Sequence, residues 1–352
     1  MEQTAVIGMS GGVDSAVAAL LLKQQGYRVI GVTMRLLCGR LSAFAAHSDR
    51  DVADAAAVCQ ALGIPHRAPD FSAAFASRVV DRFAAEYAAG RTPNPCVLCN
   101  RTVKFGALWD YARALGADCL ATGHYAAVRQ DPATGRYQLL ADESAKDQSY
   151  VLYGLTQEQL AHVRFPLSGR EKAEVRALAE EYGLPIAYKG DSQDICFVPD
   201  GDHSTFLRQY TGRTMPPGDF TDAAGHRLGT HRGLDRYTVG QRKGLGLAGG
   251  RPLYVLRLDA DKNRVVVGGE EEQYSCSLNA SDANFVSIAP PAAPIRVTAR
   301  IRYHAPPADA LLTPLDGDRF RLDFDRPQRA VAPGQAVVLY DGRLLLGGGT
   351  ID

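Results

Sequence analysis

The chain has 352 residues, with 39 Lys and Arg balanced by 39 Asp and Glu. That length exceeds a usual single domain and predicts two or three, while the neutral overall charge excludes a globally basic nucleic-acid binder. No basic stretch followed by an apolar run opens the sequence, and no window approaches the ~20 apolar residues of a membrane helix, so a cytoplasmic protein without membrane attachment is expected. The seven cysteines are an odd, scattered set. In a reducing compartment they argue against a disulfide framework and leave thiols free for chemistry.

From residue 4 to about 188, short apolar runs alternate with amphipathic ones, the pattern of a parallel sheet covered by helices. Strands are predicted over 4–9, 28–34 and 118–123, and helices over 15–25, 52–62, 73–87, 103–115 and 171–182. After about 199 the pattern turns to short β runs, at 252–258, 264–268, 295–302, 319–324 and 336–340, with no helix expected. A turn is placed at 259–263 and a Pro-rich connection at 289–294. The predicted fold class is thus α/β: an N-terminal parallel-sheet domain over 1–205, a small central β module over 206–275 and a C-terminal β-barrel over 276–352. Charge is uneven along the chain. Between Ser204 and Arg257 nine Lys and Arg face three acids, and 91–104 carries Arg91, Arg101 and Lys104 with no acid. Such local surpluses suit phosphates, although solvated basic loops look the same.

The first predicted strand runs directly into Ser10-Gly11-Gly12-Val13-Asp14-Ser15 and then a helix. Glycines there let backbone N–H groups approach an anion, the serines add hydroxyls, and the helix N-terminus favours negative charge. Without a Lys after the second glycine the loop is not a Walker A motif, and it is not G-x-G-x-x-G either. It resembles the PP-loop of the ATP pyrophosphatase superfamily, whose members cleave ATP between the α and β phosphates. Met34 and Gly123 fall at the carboxyl ends of two further strands, where open α/β sheets bind ligands, and are expected to touch the adenosine.

Two prolines mark 92–100 as a loop preceding a helix from about Arg101. This places Cys99 just before a helix N-terminus, beside Arg101 and Lys104, where its thiol pKa would be lowered. Alone, the C-x-x-C spacing of Cys96 and Cys99 is equally a zinc remnant, a redox pair or chance. Cys196 follows among acids where the α/β pattern ends.

The strings SGGVDS, TPNPCVLCNRTVKF, ATGHYA, KDQSYVLYGL, DSQDICFV, YTVGQRKGLGL, IRYHAPP and PGQAVVLYDG occur in the order and at about the spacing of the tRNA-specific 2-thiouridylase family, which the chain resembles along essentially its whole length. The resemblance implies ATP binding by Gly8, Met9, Ser10, Gly11, Gly12, Val13, Asp14 and Ser15, with Met34 and Gly123. It makes Cys99 the nucleophile and Cys196 the persulfide carrier. Asn94, Pro95 and Cys96 would meet the target base, and His124, Lys146, Asp147, Gln148, Arg302, Tyr303 and Gln335 the tRNA. Implied partners are tRNAs for Lys, Glu and Gln and a cysteine desulfurase or sulfur-relay donor.

One departure stands out: many family members carry an Asp, assigned acid–base work, where this chain has Cys96. The implied reaction adenylates the 2-oxygen of the wobble uridine with ATP and Mg²⁺ and replaces it with sulfur. An amide-forming PP-loop ligase and a nonenzymatic tRNA binder are the rival readings. For the sulfur site two readings compete: metal-free persulfide chemistry, which is favoured, and a [4Fe–4S] cluster held by Cys96, Cys99 and Cys196 with one iron left open.

Overall fold

The computed structural model describes residues 2–45, 48–190, 195–198, 201–247 and 250–352. The N-terminal half runs β1 (Thr4–Gly8), α1 (Val13–Gln24), β2 (Arg28–Val32), α2 (Ser48–Leu62), β3 (His66–Arg67), α3 over 72–88, α4 over 95–114 and β4 (Cys119–Ala121). The hairpin β5 (Ala126–Gln130) and β6 (Tyr137–Ala141) follows, then α5 (Gln157–His162), β7 (Val163–Arg164), α6 (Lys172–Glu181) and α7 (His203–Thr211). Strands β3-β2-β1-β4-β7 form one parallel sheet in that order. Helix α1 is apolar on nearly all sides, with Val13 and every residue from Ser15 to Leu22 buried. Such a helix is stable only inside a core, here between the sheet and residues of α2 and α6. Chain order reverses between β1 and β4, and this switch point opens a crevice at the carboxyl ends of both strands.

Two expectations are corrected here. Helix α4 begins at Pro95 rather than near Arg101: Asn94 caps it by accepting from the Cys96 amide at 3.1 Å, and Pro95 takes the first helical position, where a missing N–H costs nothing. The second proline was thus a start signal. A helix also appears where none was expected, α7, capped by Asp202 accepting from the Thr205 amide at 3.0 Å and ended by Gly212 at φ +67°. Its buried Ser204, Phe206 and Leu207 all fall within a single turn, too short a pattern to stand out against the β runs around it.

The central sheet pairs β8 (Gly218–Thr221), β9 (Arg227–His231), β10 (Tyr254–Asp259) and β11 (Arg264–Gly268) in the order β10-β11-β8-β9, around buried Phe220, Tyr237, Val255, Val265 and Val267. Beyond it, β12 (Tyr274–Asn284), β13 (Ile295–Arg300), β14 (Ala308–Pro314), β15 (Phe320–Arg329), β16 (Ala336–Asp341) and β17 (Leu344–Ile351) pair as β12-β15-β14-β13-β16-β17, and β12 pairs again with β17. That second pairing closes the sheet into an antiparallel barrel and removes its edges. The β5–β6 hairpin of the N-terminal half then adds to β17, with Leu140 opposite Leu344. Behind this junction Phe105, Trp109, Tyr150 and Leu152 share one core with Val286, Ala336, Val338 and Leu345 of the barrel. Barrel and parallel-sheet half are therefore cemented by apolar burial rather than joined by a tether.

Candidate active site

The glycine loop lies at the switch point. Gly11 adopts φ +72°, and an added Cβ would sit 2.5 Å from the Asp51 carbonyl oxygen, so both conformation and space demand glycine. Ser15 Oγ accepts from the Ser10 amide at 3.1 Å and donates to the Gly12 carbonyl at 3.1 Å, folding the loop back on its own helix. Gly12 caps α1 without any side-chain hydrogen bond, which leaves the helix N-terminus open to an anion. Gly123 follows β4 so closely against this turn that a Cβ would come within 2.8 Å of Asp14 C and Ser15 N. Gly8 and Met9 end β1 beneath the loop, Met9 buried, and Met34 lies half-buried just past β2.

Three side chains that sequence reasoning missed brace this loop. Asp14 accepts from Tyr125 Oη at 2.7 Å and Lys172 Nζ at 2.8 Å, and Lys189 Nζ binds the Gly11 carbonyl at 3.0 Å together with Asp51 and Asp54. Nothing local to those residues advertised the role, since each reaches the loop from a distant part of the chain.

Cys196 is brought to Cys99 and Cys96, which lie 97 and 100 residues before it in sequence. Cys96 sits in the first turn of α4 and is exposed, whereas Cys99 is buried one turn further on. Cys196 is held by its neighbour Phe197, a fully buried ring packed edge-on against Phe75 at 5.5 Å and Phe83 at 5.2 Å, with Phe206 at 5.1 Å. Such contacts contribute roughly 0.5–1.5 kcal/mol each beyond area burial and fix where the sulfur stands. Residues 191–194 of the DSQDICFV string lie outside the described residues.

The expectation that Cys99 has a lowered pKa is overturned. Inside α4 it is desolvated, which pushes its thiol up to about 11, with Lys104 pulling the other way. Burial also pushes Cys196 up to about 12, reinforced by Cys99 and Cys96 and opposed by Lys104. Cys196 nevertheless has exposed surface. Cys196 thus joins an accessible residue to a desolvated thiol, so that access decides reactivity and the surrounding protein decides charge. These thiols sense one another's charge and that of Lys104, and His124, a nine-tenths buried ring beside Gly123, is held well below the usual histidine range by burial and then by the same Lys104. Gly123 against the loop and His124 beside Lys104 link the anion cradle to the thiols.

Among the described residues no three His, Cys, Asp or Glu side chains are placed to hold a metal together. Cys96, Cys99 and Cys196 are neighbours, and nothing among the described residues supports the [4Fe–4S] reading.

The remaining expected contact residues line the junction with the barrel. Arg302 donates to the carbonyls of Val239 at 3.2 Å and Ala330 at 2.5 Å, bridging the central sheet and the barrel. Tyr303 donates to the Asp147 carbonyl at 3.0 Å, and the Asp147 carboxylate pairs with Arg300 at 3.1 Å. Gln148 accepts from the Tyr125 amide, Lys146 is exposed, and Gln335 donates to the Thr92 carbonyl at 2.8 Å. Gln335 thereby grips the loop leading into Asn94, Pro95 and Cys96. Elsewhere, grooves at Arg129–Arg164 and at Asp222–Glu272 contain none of these residues.

Residues 3–200 match the family described as tRNA methyl transferase HUP domain, 204–269 its PRC-barrel domain, and 275–351 an aminomethyltransferase β-barrel domain. A tRNA-specific 2-thiouridylase of Acetivibrio thermocellus is 48% identical over 364 residues, covering 99% of this chain and 99% of that one. Its counterpart in Caldanaerobacter subterraneus is 48% identical over 353 residues, with 99% and 97% covered. Among solved structures, a 4-thiouridine synthetase–RNA complex with bound ATP is a partial likeness, at 22% identity and TM-score 0.36 over 60% of this chain and 50% of that one. With nearly half of its residues identical from end to end, the chain belongs to the tRNA-specific 2-thiouridylase family.

Proposed function

We infer that this chain is an ATP-dependent tRNA-uridine 2-sulfurtransferase. The observation that carries the reading is the joining, in one fold, of an open anion cradle at the β1/β4 switch point to three neighbouring thiols through Gly123 and His124. The family descriptions speak of methyl transfer and the relatives' names of thiolation. Only thiolation gives work to both halves of this site, since a methyl donor needs neither the cradle nor the paired cysteines.

In this reading the wobble uridine enters the cleft flipped from its stack. Gly8 to Ser15 cradle the ATP phosphates, with Met34 and Gly123 against the adenosine, and Asn94, Pro95 and Cys96 meet the base. Uridine O2 attacks the α-phosphate, the bond to the β-phosphate breaks, and pyrophosphate leaves. Mg²⁺ would come with ATP, whose phosphates and water supply most of its ligands, and would neutralise charge on the leaving group. The oxygen, now part of AMP, becomes a leaving group at C2. Sulfur arrives as a persulfide on Cys196. Either its terminal sulfur attacks C2, AMP departs, and Cys99 then attacks the Cys196 sulfur, breaking the S–S bond to release the thiolated base, or Cys99 attacks the Cys196 sulfur first and expels hydrosulfide that attacks C2 and displaces AMP; both routes leave a Cys99–Cys196 disulfide that an external thiol reduces. A cysteine desulfurase or relay protein in the cytoplasm would reload Cys196, and tRNAs for Lys, Glu and Gln are the substrates. No helix among the described residues is long and apolar enough to cross a membrane.

The deciding experiment supplies unmodified tRNA, ATP, Mg²⁺ and a persulfide donor and analyses the nucleosides by mass spectrometry. Expected products are 2-thiouridine at position 34, AMP and pyrophosphate in equal amounts. A methylated nucleoside, or thiolation without AMP, would reject the reading.

The central module over 206–275, with the barrel over 276–352, would carry the RNA. All nine cations between Ser204 and Arg257 are exposed, and Arg227 is paired with Asp219 at 2.7 Å. Arg242 and Lys243 lie on an exposed turn near the junction. Replacing both with Gln should flatten the slope of log K for tRNA against log salt by up to about two units, read by filter binding across a salt series. An unaltered slope would place the RNA elsewhere.

A further inference from the structure

Among the described residues, Lys104 is the charged group beside the thiols to which the proposed chemistry assigns nothing. It lies in the stretch Asn100–Ala107 of α4, where hydrogen bonding runs from residue i to i+5. In an ordinary α-helix, neighbours on one face are three or four residues apart, and a residue five along points elsewhere. Widening the turn to i+5 brings the fifth residue back over the first, a distortion found frequently at functional sites. Lys104, five residues after Cys99, is thereby returned to the face of the thiols. Its charge reaches Cys96 and Cys99 on its own helix, Cys196 from the segment Ile195–Val198 and His124 from the end of β4.

Nearby cations are already engaged: Arg101 pairs with Asp282 at 3.1 Å, and Arg78 donates to the Thr102 carbonyl at 2.8 Å. Among the described residues no carboxylate pairs with Lys104, which is half-buried. An ammonium placed among thiols rather than acids, at partial desolvation, gains a counter-charge only when one of those sulfurs is anionic.

We propose that Lys104 is the positioning cation of the sulfur site, its ammonium holding negative charge on whichever of Cys96, Cys99 and Cys196 carries the anion. The need is evident from the surroundings, since burial otherwise favours the neutral thiol at all three positions. From the barrel, Tyr303 faces Cys96, with Asp147 and Arg300 acting on the same phenol. The proposal rests on the reading of these thiols as the sulfur-handling site.

The test is the rate of iodoacetamide labelling of each cysteine in the reduced full-length protein from pH 6.5 to 9.5, by mass spectrometry, in wild type, Lys104→Gln and Lys104→Arg. Cys96 and Cys196 should label about tenfold more slowly at pH 8 in the Gln variant, the loss in thiolate that accompanies a rise of one pKa unit. Arg should restore most of the rate. Exposed Cys276 in the barrel should label equally in all three proteins, and buried Cys59 should stay protected, which checks the fold. If Gln folds poorly, Lys104→Met keeps the apolar stem and takes its place. Unshifted profiles at Cys96 and Cys196 in a folded variant overturn the proposal, all the more so if the salt slope for tRNA falls by about one unit, which would make Lys104 a phosphate contact. Labelling reports charge without thiolation, so a failure here leaves the sulfurtransferase reading intact, while wild type that makes no 2-thiouridine sinks that reading alone.

Discussion

Cys196→Ser should abolish 2-thiouridine formation, a loss on the order of 10⁴-fold or more, while tRNA-dependent pyrophosphate release survives. Serine keeps the volume and leaves Phe197 in its pocket of Phe75, Phe83 and Phe206, so the segment stays in place. What disappears is the only atom of that side chain able to carry a second sulfur. Adenylation draws on the loop Ser10–Ser15 and on Gly123, none of which Cys196 supports, and the two half-reactions should separate. The measurement is nucleoside mass spectrometry beside a pyrophosphate assay on the same reaction. Thiolation by the Ser variant with a persulfide donor would show that Cys196 is not the carrier. Loss of pyrophosphate release together with thiolation would mean that the two steps share one geometry. In the same assay Cys99→Ser distinguishes the sulfur routes by where they stop: direct attack leaves the tRNA joined to Cys196 through an S–S bond, a covalent protein–tRNA adduct that added reductant releases, whereas the hydrosulfide route stops before any sulfur reaches the tRNA.

Gly11→Ala should have the opposite signature, with pyrophosphate release falling on the order of 10²-fold and tRNA binding retained. Two costs coincide at this position. An alanine at φ +72° occupies a region that L side chains avoid, and its Cβ would meet the backbone of Asp51 at 2.5 Å, an atom that cannot swing aside as a side-chain end could. Together these should lower stability by about 1–3 kcal/mol, readable as a drop in Tm, and displace the loop from Lys189 and α1. Because the barrel and central sheet touch none of these atoms, tRNA affinity measured by filter binding serves as the control. Wild-type pyrophosphate release in a folded Gly11→Ala protein would remove the loop from the catalytic machinery.

The sequence was most legible where chemistry depends on a short contiguous string. Ser10 to Ser15 could be read as an anion loop because strand, glycines and helix start occur together, and the structure places that loop at the switch point. Three of the six barrel strands, β13, β15 and β16, were found from alternation and turn residues, each starting within one residue of its bound, while β12, β14 and β17 were missed. Pro95 was misread because proline signals both loop and helix start, and the deciding feature, the Asn94 side chain folded back onto the Cys96 amide, is a matter of geometry. The charge of Cys99 was misjudged for a related reason. Proximity to cations in sequence suggested a lowered pKa, but burial is set by packing of α4 against α3 and the segment after α6, and it dominates.

By itself, then, the chain determined part of its elements, the glycine loop and the family resemblance, all of which rest on local order. Tertiary structure alone decided that Lys172 and Lys189 brace the loop, that the β5–β6 hairpin extends the barrel sheet, and that Gln335 grips the loop before Cys96. The physical reason is separation. Each of these contacts joins residues dozens to hundreds apart, and it forms only because burial of shared apolar surface repays the entropy of closing the loop between them.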